Sequence, residues 1–144
     1  MKILVGYDGS ESSKKALEMA KKLISTCDVF KITMIHVEQH SSLDYAPFGG
    51  VVKIQDMEKM GEEVFEDDLE ELQEAAKRIN NGDVEVKIIE GNDPAKVLAD
   101  YAKDENYDLI VVGARGTGGL KKWRPGSVSK AIVDNCCISV MVVK

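Results

Sequence analysis

Cysteine, proline, histidine and tryptophan are scarce in this chain of 144 residues, at three, three, two and one respectively. Cys27, Cys136 and Cys137 form no C-x-x-C pair and leave an odd thiol, which argues against a disulfide framework or a zinc knuckle. Adjacent Cys136 and Cys137 read as small apolar fillers ahead of a strand. A reducing cytoplasm is the expected compartment. His36 and His40 have no second histidine, cysteine or carboxylate at ligand spacing, so no metal is assigned. Long apolar runs are missing, which excludes a membrane span. Only Ile3, Leu4 and Val5 separate Lys2 from Gly6, too little for a leader segment. Basic charge is also short: 19 Lys and Arg against 25 Asp and Glu leave a net charge of −6. That excludes nonspecific nucleic-acid binding, which needs a basic face. No Ser-His-Asp arrangement, H-E-x-x-H, Walker A loop or G-x-G-x-x-G after the first strand occurs, so no catalytic residues are assigned.

What is present alternates between strand and helix patterns. Strands are predicted at Lys2–Tyr7, Phe30–Val37, Val84–Glu90, Leu109–Val112 and Ile138–Val143. Between them, Ala16, Leu17, Ala20, Leu23 and Ile24 repeat at helical spacing within Ser10–Thr26. A second helix is expected over Ile54–Ile79, its acidic run read as a solvated face, and the Asn81-Gly82-Asp83 turn follows. Asp93-Pro94 is an N-cap with proline in the first turn, opening a helix to about Asn106 that buries Val97, Leu98, Tyr101 and Ala102. A last helix is expected from Ser127 to Asn135. The connection from Glu38 to about Lys53 is long for a compact domain, either a lid or a local excursion. Strand–helix alternation predicts α/β class: one doubly wound domain over residues 1–144, a parallel sheet with helices on both faces.

The most informative stretch follows Leu109-Ile-Val-Val112. Glycines stand at 113, 116, 118, 119 and 126, with Arg115, Lys121, Lys122 and Arg124 among them, and Gly126-Ser127 opens a helix. Glycine permits close backbone approach and positive φ, and the free N–H groups at a helix start hold anionic charge. This combination points to a phosphate cradle. The lysines read either as phosphate ligands or as exposed solubilising residues, and Trp123 either as a base-stacking platform or a packing anchor.

The Gly113-x2-Gly116-x9-Gly126-Ser127 spacing resembles the nucleotide loop of the universal stress protein family. Val5-Gly-Tyr-Asp-Gly-Ser-Glu11, Ile35-His-Val37 and Asp108-Leu-Ile-Val-Val-Gly113 resemble that family's first, second and fourth strands with their exits. The stretch from His40 to Glu62 does not align by eye. The resemblance implies a five-stranded parallel sheet in the order 3-2-1-4-5, which right-handed crossovers and short connections leave among few choices. In that order a ligand crevice forms where the winding reverses, at the carboxyl ends of the first and fourth strands. The resemblance further implies ATP as ligand, with any Mg2+ held mainly by its phosphates. Tyr7, Asp8, Val37, Gly113, Arg115, Gly116, Gly126, Ser127, Val128 and Ser129 would form the site. By the same resemblance, Asp8 would lie beside ribose and adenine and the Val37 backbone would read the adenine edge, while Gly126, Ser127 and the N–H groups of Val128 and Ser129 would hold the outer phosphates. Asp8 or Ser10 can cap the first helix, so Asp8 also reads as a plain cap, and Ser127 and Ser129 as good helix-start residues. Two departures from the family pattern stand out: Pro125 replaces a bulky apolar residue, and Ile138 replaces proline and should lengthen the last strand.

The leading functional expectation is a regulatory ATP-binding stress protein with at most slow hydrolysis. A nucleotidyl- or phosphotransferase and a dimeric interaction module without nucleotide are the alternatives. The edge at 138–143 presents unpaired backbone, so a homodimer through it is expected.

Overall fold

The computed structural model describes residues 1–26, 31–39, 74, 77, 84–116 and 126–144. The helix expected at 54–79 lies outside these residues except for Glu74 and Lys77, both helical. The 40–53 connection, the 81–83 turn, Cys27 and the segment from Thr117 to Pro125 also lie outside them.

Five strands, β1 (Lys2–Gly6), β2 (Lys31–Glu38), β3 (Val84–Glu90), β4 (Leu109–Gly113) and β5 (Ser139–Val143), alternate with helices α1 (Glu11–Thr26), α2 (Pro94–Asp104) and α3 (Ser127–Asn135). The strands pair in parallel in the order β3-β2-β1-β4-β5, as expected. The winding therefore reverses at β1, whose Gly6 lies level with Ile35 on one side and Val112 on the other.

Continuous apolar strands are buried on both faces because helices cover both. On one face Ile3, Val5, Ile32, Met34 and Val111 pack with Ala16, Leu17 and Ala20 of α1, joined by half-buried Leu23 and Ile24. On the other, Leu4, Ile35, Ile110 and Val112 meet Ala95, Leu98 and Ala102 of α2 and Ile132 of α3. Helix α2 starts as expected, with the Asp93 Oδ1 accepting the N–H of Lys96 at 3.1 Å and Pro94 in the first turn. It stops at Asp104, short of the expected Asn106. Asn106 takes φ 55°, and the Tyr107 N–H reaches back to the Ala102 carbonyl at 2.8 Å.

Three expectations need amending. The last strand begins at Ser139, so Ile138 does not lengthen it; its side chain packs on the α2–α3 face. Cys136 fills a half-buried place there, whereas Cys137 is exposed and fills nothing. Val97 and Tyr101 are only half-buried, and Ala95 takes the buried place instead.

At the amino ends of the strands, buried Thr33 accepts the Tyr107 hydroxyl at 2.5 Å and donates to Glu85 Oε2 at 3.3 Å. Lys31 and Lys87 pair with the same carboxylate at 2.6 and 3.2 Å. The Lys31 bond holds Glu85 below the usual carboxylate range, and burial pushes the Tyr107 hydroxyl up. This polar network closes the end of the sheet away from the crevice.

Candidate functional site

Three chain segments meet at the carboxyl end of the β1–β4 pair. β1 runs out through Tyr7-Asp8-Gly9, and the only positive-φ glycine among the described residues, Gly9 at 74°, turns the chain into α1. Ser10, not Asp8, is the N-cap: its Oγ accepts the Ser13 N–H at 3.1 Å, and Ser13 Oγ donates back to the Ser10 carbonyl at 2.9 Å. Asp8 Oδ1 accepts the Ser10 N–H at 3.1 Å, which fixes the half-buried carboxylate at the rim. The Ser10 hydroxyl then donates to the Arg115 carbonyl at 3.1 Å, tying the start of α1 to the exit of β4.

The start of α3 is pinned to the same exit. The Gly126 N–H donates to the Ala114 carbonyl at 2.7 Å, and Ser129 Oγ lies 3.1 Å from the Gly126 carbonyl and 3.4 Å from that of Ala114. Ser129 is buried, so its hydroxyl serves this anchoring. Gly126 gives α3 no side-chain cap. No acceptor among the described residues takes the N–H of Ser127, Val128 or Ser129, the first-turn donors every helix leaves open. Ser127 is exposed. Two helix N-termini thus point their positive ends at one rim.

The glycines of the motif have different reasons for being glycine. A Cβ at Gly113 would come within 2.6–2.7 Å of Ser12 and of the Ser13 backbone nitrogen, so α1 packs directly on the strand there. A Cβ at Gly116 would stand 2.6 Å from Asp8 Oδ2. At Gly126 the nearest atoms are 3.4–3.5 Å away, ordinary contact, and φ is −56°. None of the three takes positive φ. The expectation that these glycines supply unusual backbone angles is corrected: they supply space.

Of the remaining expected residues, Arg115 is exposed at the rim, while the Tyr7 side chain is buried in the α1 face. Tyr7 contributes backbone: its N–H donates to the Ile35 carbonyl at 2.9 Å, and its carbonyl lies 3.0 Å from His36 Nδ1. Ile35 thus faces β1, and the Glu38 carbonyl takes the Gly91 N–H on the β3 side at 2.9 Å. Alternation along a strand turns the Val37 backbone toward the β1 side, beyond the point where β1 has ended. Sequence reasoning offered Ser10 as a cap but not as a tie to the exit of β4, and it missed Ala114 and Glu38. Ser10 carried a signal as a serine at a helix start; Ala114 acts only through its backbone and carried none. Glu38 Oε2, beside Val37, is buried without a hydrogen-bond partner among the described residues. Among those residues no group of three or more His, Cys, Asp or Glu side chains could hold a metal ion, and no helix is long and apolar enough to cross a membrane.

Universal stress protein YxiE of Bacillus subtilis is 30% identical over 146 residues, covering 99% of this chain and 98% of that one. The solved structure of protein MJ0577, described as a structure-based assignment of biochemical function, superposes with a TM-score of 0.81 at 23% identity, over 99% and 94% of the two chains. A universal stress protein solved in complex with cAMP superposes at 0.69 with 23% identity, over 100% and 97%. The profile of the universal stress protein family matches residues 1–144, and the chain belongs to that family.

Proposed function

We propose that this protein binds ATP at the β1–β4 rim and uses it as a regulatory signal rather than as fuel. The observation that carries this reading is the uncapped start of α3. Its open amides stand at the reversal of the sheet, on the segment pinned to Ala114, with Asp8 on the neighbouring turn. In this reading the amides of Ser127, Val128 and Ser129 and the Ser127 hydroxyl hold the outer phosphates, and Arg115 adds charge. The Asp8 carboxylate accepts from ribose hydroxyls, and the Val37 backbone meets the adenine edge. Mg2+ arrives on the phosphates. A family member bound to cAMP supports an adenine nucleotide as the ligand class. In this reading the nucleotide is held rather than turned over, with hydrolysis at most slow.

Mass spectrometry of small molecules released from the purified protein, with calorimetric titration by Mg-ATP, tests the reading. Bound adenine nucleotide or saturable heat supports it. No heat with ATP, ADP or AMP overturns it in favour of an interaction module. Substrate-dependent consumption of ATP would instead favour a transferase.

The proposal extends to assembly in the cytoplasm. β5 is an edge of the described sheet, and Val142 on it is 37% exposed. A second copy pairing along this edge would satisfy its open backbone groups.

A further inference from the structure

We propose that Gly116 is a positioning residue for Asp8, and through it sets how the site recognises the sugar of a nucleotide. The ligand part rests on the function proposed above; the positioning part stands on geometry alone. Gly116 does not take positive φ, so backbone freedom does not demand glycine there. Its absent side chain leaves the space that Asp8 Oδ2 occupies, 2.6 Å from where a Cβ would stand; the next atom, Asp8 Cγ, is 3.9 Å away. A Cβ cannot approach a carboxylate oxygen that closely, so a methyl at 116 must displace it.

The carboxylate to be displaced is tied on its other side. The other oxygen, Oδ1, is held by the Ser10 N–H, and Ser10 is itself held by the Arg115 carbonyl, one residue before Gly116. Asp8 and Gly116 therefore sit on two arms of one hydrogen-bonded clasp, and widening the gap on one side loosens the bond on the other. The fold does not depend on this space, because the atom in the way is the end of a side chain and not backbone. Gly113 is the contrast, where a Cβ meets the backbone of α1. In a nucleotide complex a moved carboxylate no longer meets the ribose hydroxyls, while the phosphate amides of α3 keep their places. The effect falls on sugar recognition.

The experiment has a ligand-free arm and a ligand arm, applied to wild type, Gly116→Ala, Asp8→Ala and the double variant. In the first, the Ser10 amide resonance is followed by NMR without nucleotide. The proposal expects it to shift in Gly116→Ala, with the thermal midpoint near that of wild type. An unchanged Ser10 resonance overturns the positioning role whether or not the protein binds nucleotide. In the second, dissociation constants are measured for ATP and 2′-deoxy-ATP. Gly116→Ala should weaken ATP about tenfold, the scale of one hydrogen bond to a charged group, and narrow the preference for ATP over the deoxy form. In the Asp8→Ala background the same change should cost nothing further. Full additivity overturns the proposal, since Gly116 would then act apart from Asp8. No binding of either nucleotide by wild type, with the Ser10 shift present, overturns the nucleotide reading and its sugar role but leaves the clasp standing.

Discussion

Gly126 and Ser127 differ in what a substitution there reveals. Gly126 adopts φ −56° and ψ 149°, angles open to any residue, and a Cβ there makes only ordinary contact. Gly126→Ala should therefore leave thermal stability within about 0.5 kcal/mol, as surface changes usually do, checked by calorimetry. Any loss of nucleotide affinity in that variant then reports ligand space rather than unfolding. Ser127→Ala should cost about 1.5–3 kcal/mol of binding, one to two decades in Kd, if its hydroxyl meets a phosphate. Unchanged affinity in both variants would remove α3 from the site. Gly113 predicts the opposite pattern. With the backbone of Ser12 and Ser13 at 2.6–2.7 Å, Gly113→Ala should destabilise the fold by about 1–3 kcal/mol in a urea titration. These contrasts also mark where sequence reading stopped. A glycine in a motif announces that something forbids a side chain, but not whether that something is a ligand, a neighbouring carboxylate or a helix backbone. Only the folded arrangement separates the three.

Elements were more legible than residues. Val84–Glu90 and Ser127–Asn135 have the bounds that their patterns predict, because turn residues and a helix-starting serine delimit them locally. Ile138 was misjudged because its apolar character serves the α2–α3 face without requiring strand pairing. The convergence of Asp8, Gly113–Gly116 and Gly126–Ser129 on one rim followed from the expected strand order. The Ser10–Arg115 and Gly126–Ala114 ties were not visible, since they run through backbone carbonyls that no residue type encodes. The amino end of β2 and β3 makes its own prediction. Glu85 is held below its ordinary value of 4.5, chiefly by the Lys31 hydrogen bond, with desolvation opposing and Lys87 assisting. A carboxylate depressed in the folded state adds stability above its unfolded pKa and loses it as pH falls through the folded one. The gap in thermal midpoint between wild type and Glu85→Gln should be steady near neutrality and close as pH drops below that ordinary value. A gap that widens in acid would show that the ion pair is not its source.

Across the sheet, the central strands β1, β2 and β4 carry the buried residues, whereas β3 and β5 at the two edges are half-buried or exposed. Val142 at 37% and Val133 at 53% are the large apolar residues left exposed among those described. If β5 is the pairing edge, Val142→Lys should convert a dimer to a monomer in light scattering while far-ultraviolet circular dichroism stays the same. A monomer already in wild type at micromolar concentration would refute the assembly. Ala114 gives this edge a further meaning. Its N–H donates to the Val143 carbonyl at 2.7 Å, and its own carbonyl receives the Gly126 N–H at 2.7 Å. One residue is thus the hinge pin between the outermost strand and the mouth where α3 begins. If an anion binds at the mouth and two copies pair along β5, as proposed, tilting Ala114 would tug the last residue of that strand and couple the two events through a link one residue long.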